Sequence, residues 1–560
     1  MTRALRQNQR ARLASETHLD PSARGHGGLL SVCLVSPSRY RTGMSSLGFQ
    51  TVYALLSRST HIRCERAFLP ERDELEEYRR SGTPLLSLES QRPLADFDLI
   101  AFSTSFEPDY LNIPILLKLA RLPLYSAERS ENDPLLIAGG AAFFINPEPV
   151  ADFFDAICIG EGEDIIPPLV AALLSPELAG RPGLLAALCS IPGIYVPALY
   201  QPQYDGDRLL GYESASGAPL PVTRVSACLE QHPPASSQIL TEDTEFGDMF
   251  LVEVSRGCPR GCRFCSSGFI YGTFRQQPYD HLVSAVDKGL EYRSKVGLVG
   301  AAVSDYADIG RLCRYIVDKG ARVSVSSLRI DRIDTDMLDA LLASGHKTIS
   351  LAPEGGSQRL RDLIRKNLTE AQILEACEML ISRDILNLKL YVIIGLPTET
   401  EEDLNELVKL VCTIRERVIE RARANKRLGE ITLSVNPFIP KPFTPFQWCG
   451  MEPLPSLERK VKMLESRLRP LSNVKFKIES LRESYLQALL SRGDRRLAPL
   501  LAAMADGDNL KKGARQCGID TDRYVQRTIA ADETLPWSVI GTAETALLRR
   551  EYERALEVGG

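Results

Sequence analysis

No stretch of this 560-residue chain is an uninterrupted apolar run long enough to cross a bilayer, so hydropathy argues against a helical membrane span. Basic charge is not in excess either: 67 Lys and Arg face 72 Asp and Glu, a net charge of −5. A chain so balanced has no global pull toward nucleic acid or anionic lipid, and any RNA partner would need a local patch. The basic stretch 415–427 is not such a patch, because Glu416 and Glu420 interleave with it at helical spacing and read as intrahelical pairs on a solvated face. Repeats of solenoid period are missing. The first 28 residues carry Arg3, Arg6, Arg10, Arg12 and Arg24 but lack the apolar core of an export signal, and they read as a disordered tail. Of 13 cysteines, ten lack framework spacing, which suits reduced thiols of a cytoplasmic protein.

The other three stand close together. Cys258, Cys262 and Cys265 lie in LVEVSRGCPRGCRFC, an apolar strand running into a Gly/Pro loop. With 13 cysteines in 560 positions, random placement gives this triple about 0.007 times. A zinc knuckle needs paired Cys-x-x-Cys halves or a nearby histidine, and the next histidine downstream is the distant His281. The spacing suits three thiolates on a 4Fe–4S cluster, a ligand set that leaves the fourth iron open to a non-protein ligand.

Around this loop the chain reads as α/β. Over residues 29–190, short apolar strands alternate with amphipathic helices, the pattern of a doubly wound, Rossmann-like parallel sheet. Its strand ends carry small polar residues at 36–38, 103–105, 139–140 and 160–163, where ligands of such sheets bind. Residues 191–245 read as a β extension with a hairpin at Asp205-Gly206, followed by a linker. Residues 246–450 repeat strand-then-helix about six times, as in a partial (β/α)6 TIM-type barrel with its site at the carboxyl rim. Residues 451–560 read as a mainly helical domain.

The chain from about residue 29 resembles the radical-SAM proteins that carry an N-terminal cobalamin-binding-type domain. The likeness rests on Cys-x-x-x-Cys-x-Phe-Cys with Phe264 as the aromatic, on the two α/β halves, on Lys441-Pro442-Phe443-Thr444-Pro445-Phe446-Gln447-Trp448, and on Gly-Met-Ser-Ser-Leu-Gly after the first strand. The resemblance implies that the open iron chelates S-adenosylmethionine (SAM), whose reductive cleavage gives a 5′-deoxyadenosyl radical. An external one-electron reductant of flavodoxin or ferredoxin type is implied too. By pattern, SAM contacts fall at Gly300 and Ala301, Ser326 and Ser327, Arg329, Glu354 and Gly395. Relatives have Gly-Gly-Glu where this chain has Gly300-Ala301-Ala302, so backbone carbonyls take that role here.

Cobalamin domains of the resembled family carry Asp-x-His-x-x-Gly in the first strand–helix loop. Here the loop has Ser38, Tyr40 and Gly43 at those positions, and a phenol is a poor cobalt ligand beside an imidazole. Two readings stay open: cobalamin without histidine ligation, or a domain that has lost the cofactor. Ser103, Thr104, Gly139, Gly140, Gly160 and Glu161 are the remaining candidate contacts. The leading function is a radical-SAM enzyme, with cobalamin a methyltransferase, on a substrate the sequence does not name. The alternatives are methylthio transfer to tRNA, which calls for a second cysteine trio, and a cluster- or corrinoid-binding sensor or electron carrier.

Overall fold

Val32, Cys33, Leu34 and Val35 are all at most 1% exposed. A run buried on both pleat faces is what a parallel strand between two helical layers requires. This strand, β1 (Leu30–Arg39), pairs with β2 (Ile62–Leu69) and β3 (Leu99–Ser103). Next come β4 (Leu135–Gly139) and β5 (Ala156–Cys158), all parallel, and β6 (Ile194–Tyr195) closes the sheet antiparallel. The spatial order β2-β1-β3-β4-β5-β6 reverses direction between β1 and β3, the switch point beyond which ligands of such sheets bind. One face is covered by helices Leu47–Ser57 and Gly162–Leu173, with Phe49, Tyr53, Leu56, Ile165 and Leu169 packed on Leu34, Leu99 and Ile137.

The computed structural model describes residues 2–20, 28–175, 180–326, 328–425, 428–541 and 545–559. Contacts group the chain into two units. The first holds Met1–Asp248, Leu490–Thr521 and Asp532–Ala543; the second holds Met249–Leu489, Asp522–Ala531 and Glu544–Gly560.

In the second unit, β7 (Phe250–Glu253), β8 (Lys295–Val299) and β9 (Arg322–Val325) form one parallel ladder. A second ladder joins β10 (Thr348–Glu354), β11 (Asn387–Ile394), β12 (Ile431–Pro437) and β13 (Val474–Ile478). The Leu328 N–H donates to the Ser350 carbonyl at 3.3 Å, linking the segment after β9 to β10. All six strands anticipated from the sequence are present, and the alternating stretch at 474–478 adds a seventh.

Three boundaries differ from the sequence reading. Residues 3–14 form a helix where a disordered tail was anticipated; Leu5 and Gln9 are buried, and Arg12 pairs with Glu74 at 3.0 Å. Polar contacts hold this segment, so no apolar stripe announced it. Ile194–Tyr195 belongs to the main sheet instead of an extension, although the hairpin of Tyr200–Asp205 with Arg208–Ser214 forms as anticipated. The region 451–560 is shared between the units. In the first, the Asn146 amide donates to the Ser491 and Gly493 carbonyls at 3.1 and 2.7 Å, and Arg495 pairs with Glu148 at 3.2 Å. In the second, the Met451 N–H donates to the Val525 carbonyl at 2.9 Å. Amphipathic spacing shows that a helix buries one face, not which surface receives it.

Glu16 seals the N-terminal segment onto the first unit. Its carboxylate, removed from solvent, accepts from Arg66 at 2.6 and 2.9 Å and from the Tyr40 hydroxyl at 2.6 Å. Burial alone would raise this carboxyl, but Arg66, with His18 and Tyr40, outweighs it and lowers the pKa from 4.5 to about 2. Arg66→Met leaves a buried carboxylate without its cation, and we expect a loss of about 3–5 kcal/mol from the first unit, read as an earlier thermal transition. Because the folded pKa is depressed, the Glu16 contribution is complete above pH about 4.5 and disappears as pH falls through about 2. Stability followed from pH 6 downward in wild type and Glu16→Gln checks this, the two curves converging in acid.

Candidate functional site

Past β7, the short strand Ser255–Arg256 pairs antiparallel with Arg275–Gln276, pinching shut the loop between them. All three clustered cysteines lie inside it, free and partly buried. Gly257 starts the loop at φ +78°, and a Cβ on Gly268 would come within 2.5 Å of the Arg260 carbonyl, so neither position accepts a side chain without strain. Inside the loop the Cys265 N–H donates to the Cys262 carbonyl at 3.2 Å.

Arg263, between Cys262 and Phe264, fixes this loop to the rest of the unit. Its N–H donates to the Ile364 carbonyl at 2.9 Å and its carbonyl accepts from the Phe446 N–H at 3.0 Å. Its guanidinium, 7% exposed, reaches the Leu363 carbonyl at 2.8 Å and Glu551 at 3.2 Å. The segment Lys441-Pro442-Phe443-Thr444-Pro445-Phe446 thereby meets the cysteine loop.

Charged side chains surround the sulfurs. Arg260 pairs with Asp305 at 3.1 Å and Asp331 at 3.5 Å; Arg329 pairs with the same two carboxylates at 3.3 and 2.7 Å. Lys366 stands 3.4 Å from Glu354. Burial pushes the Cys262 thiol up to about 11, with the Lys366 cation opposing. Burial also raises Cys258, against a backbone hydrogen bond at Arg260 and the Arg329 cation. Glu354 sits at φ +64°, and its carboxyl is raised by burial against the pull of Lys366. Arg361, fully buried, holds the turn after Glu354 by donating to the Gly355 and Gly356 carbonyls at 3.2 and 3.1 Å.

Of the residues singled out by sequence, Arg329 and Glu354 are thus neighbours of the cysteine loop. Phe264 is half-buried, and Ser326 and Ala301 are exposed. A Cβ on Gly300 would stand 3.0 Å from the Ser255 hydroxyl, which is buried and has no hydrogen-bond partner among the described residues. Gly395 is enclosed: its N–H donates to Glu399 at 2.7 Å, and a Cβ there would meet Leu457 at 2.7 Å. Ser327 lies outside the described residues. Lys366, Arg260, Asp305 and Asp331 escaped sequence reasoning: Arg260 lies within the cysteine motif but at one of its variable positions, and the other three come from segments without a motif.

Among the described residues, no three His, Cys, Asp or Glu side chains are gathered so as to hold one metal ion; the three thiolates of a cubane bind three separate irons and need not share a point. Three free thiols on one pinned loop fit the cluster.

In the first unit, the end of β1 and the segment after β3 are tied across the switch point. The Ser38 hydroxyl donates to Asp109 at 2.8 Å, and the Asn112 amide donates to the Pro37 carbonyl at 2.9 Å. Thr104 is fully buried, and its hydroxyl has no hydrogen-bond partner among the described residues. Ser103 pairs in register with Gly139. Gly140, at φ +111°, packs so tightly that a Cβ would stand 2.4 Å from the Thr104 carbonyl. These residues place a buried hydroxyl and a tightly packed glycine backbone at the carboxyl end of the sheet.

Four other candidates have different partners, which corrects the sequence expectation. Tyr40 is buried, with its hydroxyl on Glu16. Gly43 is glycine because a Cβ would meet the Ser36 hydroxyl at 2.7 Å. Gly160 bridges to Val225, and Glu161 accepts from the Ala227 N–H at 3.1 Å. The chain's own 225–227 segment takes the place a ligand was anticipated to fill.

Residues 48–197 match the family described as radical SAM proteins, N-terminal, and residues 252–411 match the radical SAM superfamily, together more than half the chain. The chain belongs to the radical SAM superfamily. Cofactors implied by the superfamily are a 4Fe–4S cluster and SAM. The uncharacterized protein MJ0966 of Methanocaldococcus jannaschii is 28% identical over 84% of this chain and 90% of its own length. The ribosomal protein uS12 methylthiotransferase RimO of Parabacteroides distasonis is 25% identical, over only 32% of this chain and 44% of its own. Among solved structures, the radical SAM methyltransferase TsrM from Kitasatospora setae, with cobalamin and a 4Fe–4S cluster bound, superposes at TM-score 0.50. The match covers 87% of this chain and 99% of that one at 13% identity, a likeness of fold. Among the described residues, no helix of this radical SAM protein is long and apolar enough to cross a membrane.

Gly140→Ala adds a clash to a positive φ, and we expect a loss of about 2–4 kcal/mol. Gly183→Ala, in a helix with nothing within 4 Å of the new Cβ, is expected to be neutral or to stabilise by up to about 1 kcal/mol. Thermal melting of the two variants beside wild type checks both.

Proposed function

We propose that this radical SAM enzyme is a cobalamin-dependent methyltransferase acting on an unactivated centre of its substrate. Cys258, Cys262 and Cys265 hold the 4Fe–4S cluster; Ser103, Thr104, Gly139 and Gly140, with Ser38, form the slot for cobalamin. When bound, the cluster supplies the electron that cleaves SAM to a 5′-deoxyadenosyl radical, and cobalamin serves as the methyl carrier. The electron comes from an external donor of flavodoxin or ferredoxin type.

The single observation carrying this reading is the pinned loop, with three free thiols held by Arg263 beside the Arg329 and Lys366 cations. The chain's own groups do the positioning. Arg260, Arg329 and Lys366 balance the negative charge of thiolate ligands, and their carboxylate partners keep them in place. Glu354 presents a carboxyl for the SAM amine or ribose, and the Gly300–Ala301 backbone approaches from the neighbouring strand. Ser326 completes the SAM contacts, while Gly395, enclosed by Glu399 and Leu457, shapes the neighbouring strand end. The cobalamin part is supported by the fold shared with TsrM and by the unpartnered Thr104 hydroxyl at the switch point.

Methylthio transfer is the second reading, and relatives of RimO type favour it over a third of the chain. It calls for a further cysteine trio in the first unit. Cys33 and Cys189 are buried there at 0% and 3% exposure, as packed thiols are.

Anaerobic reconstitution with iron and sulfide is expected to give a cluster with iron–sulfur charge-transfer absorption and, with dithionite and SAM, 5′-deoxyadenosine. Single Cys258→Ala, Cys262→Ala and Cys265→Ala variants are each expected to lose at least about 100-fold of that cleavage. Full cleavage by all three variants would remove the cluster assignment.

A further inference from the structure

Strands β11, β12 and β13 of the second unit carry two unlike faces. On one, Leu388, Leu390, Val392, Ile394, Leu433 and Val435 are all at most 1% exposed, the face that crossover helices cover in a strand–helix repeat. On the other, Lys389 and Tyr391 of β11 and Asn436 of β12 are half-buried, Ser434 is buried and Lys477 of β13 is exposed. The ladder sets these side by side. Tyr391, Ser434 and Lys477 are in register, and Lys389 stands one pleat earlier, in register with Thr432 and Lys475. Paired residues of parallel strands point to one face, so the row is continuous.

The interior of a (β/α) barrel is usually filled by branched apolar side chains. Cations and donors in their place call for an occupant that supplies negative charge. The chain's own acids do not supply it. No carboxylate stands on this face within the three strands; of the two just beyond their ends, Glu430 takes Lys475 at 2.7 Å and Glu479 is exposed. Among the described residues, Lys389 and Lys477 pair with no carboxylate. Lys389 rests instead over the Tyr391 ring, its Nζ 4.4 Å from the centroid, which positions the ammonium without using its hydrogen-bond donors. Lys389 and Lys477 are two strands and one pleat apart, about 12 Å between α-carbons, a span that two four-carbon stems can close upon one group. No arginine stands on this face. Two point charges without a planar guanidinium fork suit the two charges of a phosphate monoester better than a planar carboxylate.

We propose that this face holds the substrate, that the substrate carries a phosphate monoester, and that Lys389 and Lys477 bind that group beside the Tyr391 and Ser434 hydroxyls and the Asn436 amide. Tyr391 lies four residues before Gly395, so a phosphate held there leaves the rest of the molecule about 13 Å of strand in which to reach the carboxyl rim. The inference rests on the proposed function for placing the chemistry at that rim.

Calorimetric titration of the reconstituted holoenzyme with inorganic phosphate tests this, with succinate as the carboxylate comparison. Wild type is expected to bind phosphate, and more tightly than succinate. Lys389→Ala and Lys477→Ala are each expected to weaken phosphate binding about tenfold, the loss of one charge-assisted contact. Lys475→Ala, whose cation Glu430 already holds, is expected to bind as wild type. If an alanine variant melts earlier, Lys389→Gln or Lys477→Gln carries the comparison, with the same weakening expected. No phosphate binding by wild type, succinate bound as tightly as phosphate, or both lysine variants matching wild type would each overturn this inference and leave the proposed function standing. Phosphate binding weakened in both variants of a protein that forms no 5′-deoxyadenosine from SAM would overturn the proposed function and leave the phosphate site.

Discussion

Arg263 is the residue on which the cysteine loop depends. A loop of this length would otherwise sample many shapes, and ordering it costs about 1–2 kcal/mol per residue in backbone entropy. Arg263 opposes that from within, between the second and third cysteines, using its N–H, its carbonyl and its guanidinium on three separate parts of the unit. Burial lowers its pKa, and Glu551 opposes that only in part. A pair of this kind contributes little net stability but fixes geometry. What it fixes is the direction in which three sulfurs face.

The electrostatic surroundings follow from that position. Thiols in a partly buried loop resist ionisation, as Cys262 does at about 11, and metal binding must remove their protons. Lys366 and Arg329 offset part of that cost by placing positive charge beside the sulfurs. Neither is free to swing away: Lys366 is held by Glu354, and Arg329 by Asp305 and Asp331. Glu354 is itself held at positive φ, a conformation that persists only when its surroundings enforce it. Arg361 enforces it by closing the next turn on two carbonyls. Strain, charge and loop order are therefore parts of one arrangement around the thiols.

The parts legible in the sequence are those with a period or a motif. Buried parallel strands such as Val32–Val35 and the six strands of the second unit advertised themselves as short apolar runs, and the cysteine spacing stood far above chance. Glu354 was legible because it ends β10, and Arg329 because it follows β9 by a few residues. Lys366, Arg260 and the aspartates were not, since their roles arise where separate loops converge and no spacing encodes that. The helix at Arg3–Ala14 was missed for a related reason: Arg12–Glu74 and Glu16–Arg66 hold it by long-range ion pairs, which leave no periodic trace. The shared C-terminal region went unread because amphipathic helices do not name their receiving surface.

Tyr40 shows how a motif position changes meaning once its neighbours are known. From sequence it occupies the place of a cobalt-ligating histidine; in the structure its hydroxyl donates to a carboxylate that Arg66 also holds. Burial and that carboxylate raise the phenol further, so it stays a protonated donor directed at Glu16. Gly43 is likewise explained by its close approach to Ser36, and Gly160 and Glu161 by Val225 and Ala227. Residues after β1 and β5 are thus tied to the chain's own groups, so packing and hydrogen bonding account for these motif positions without a ligand.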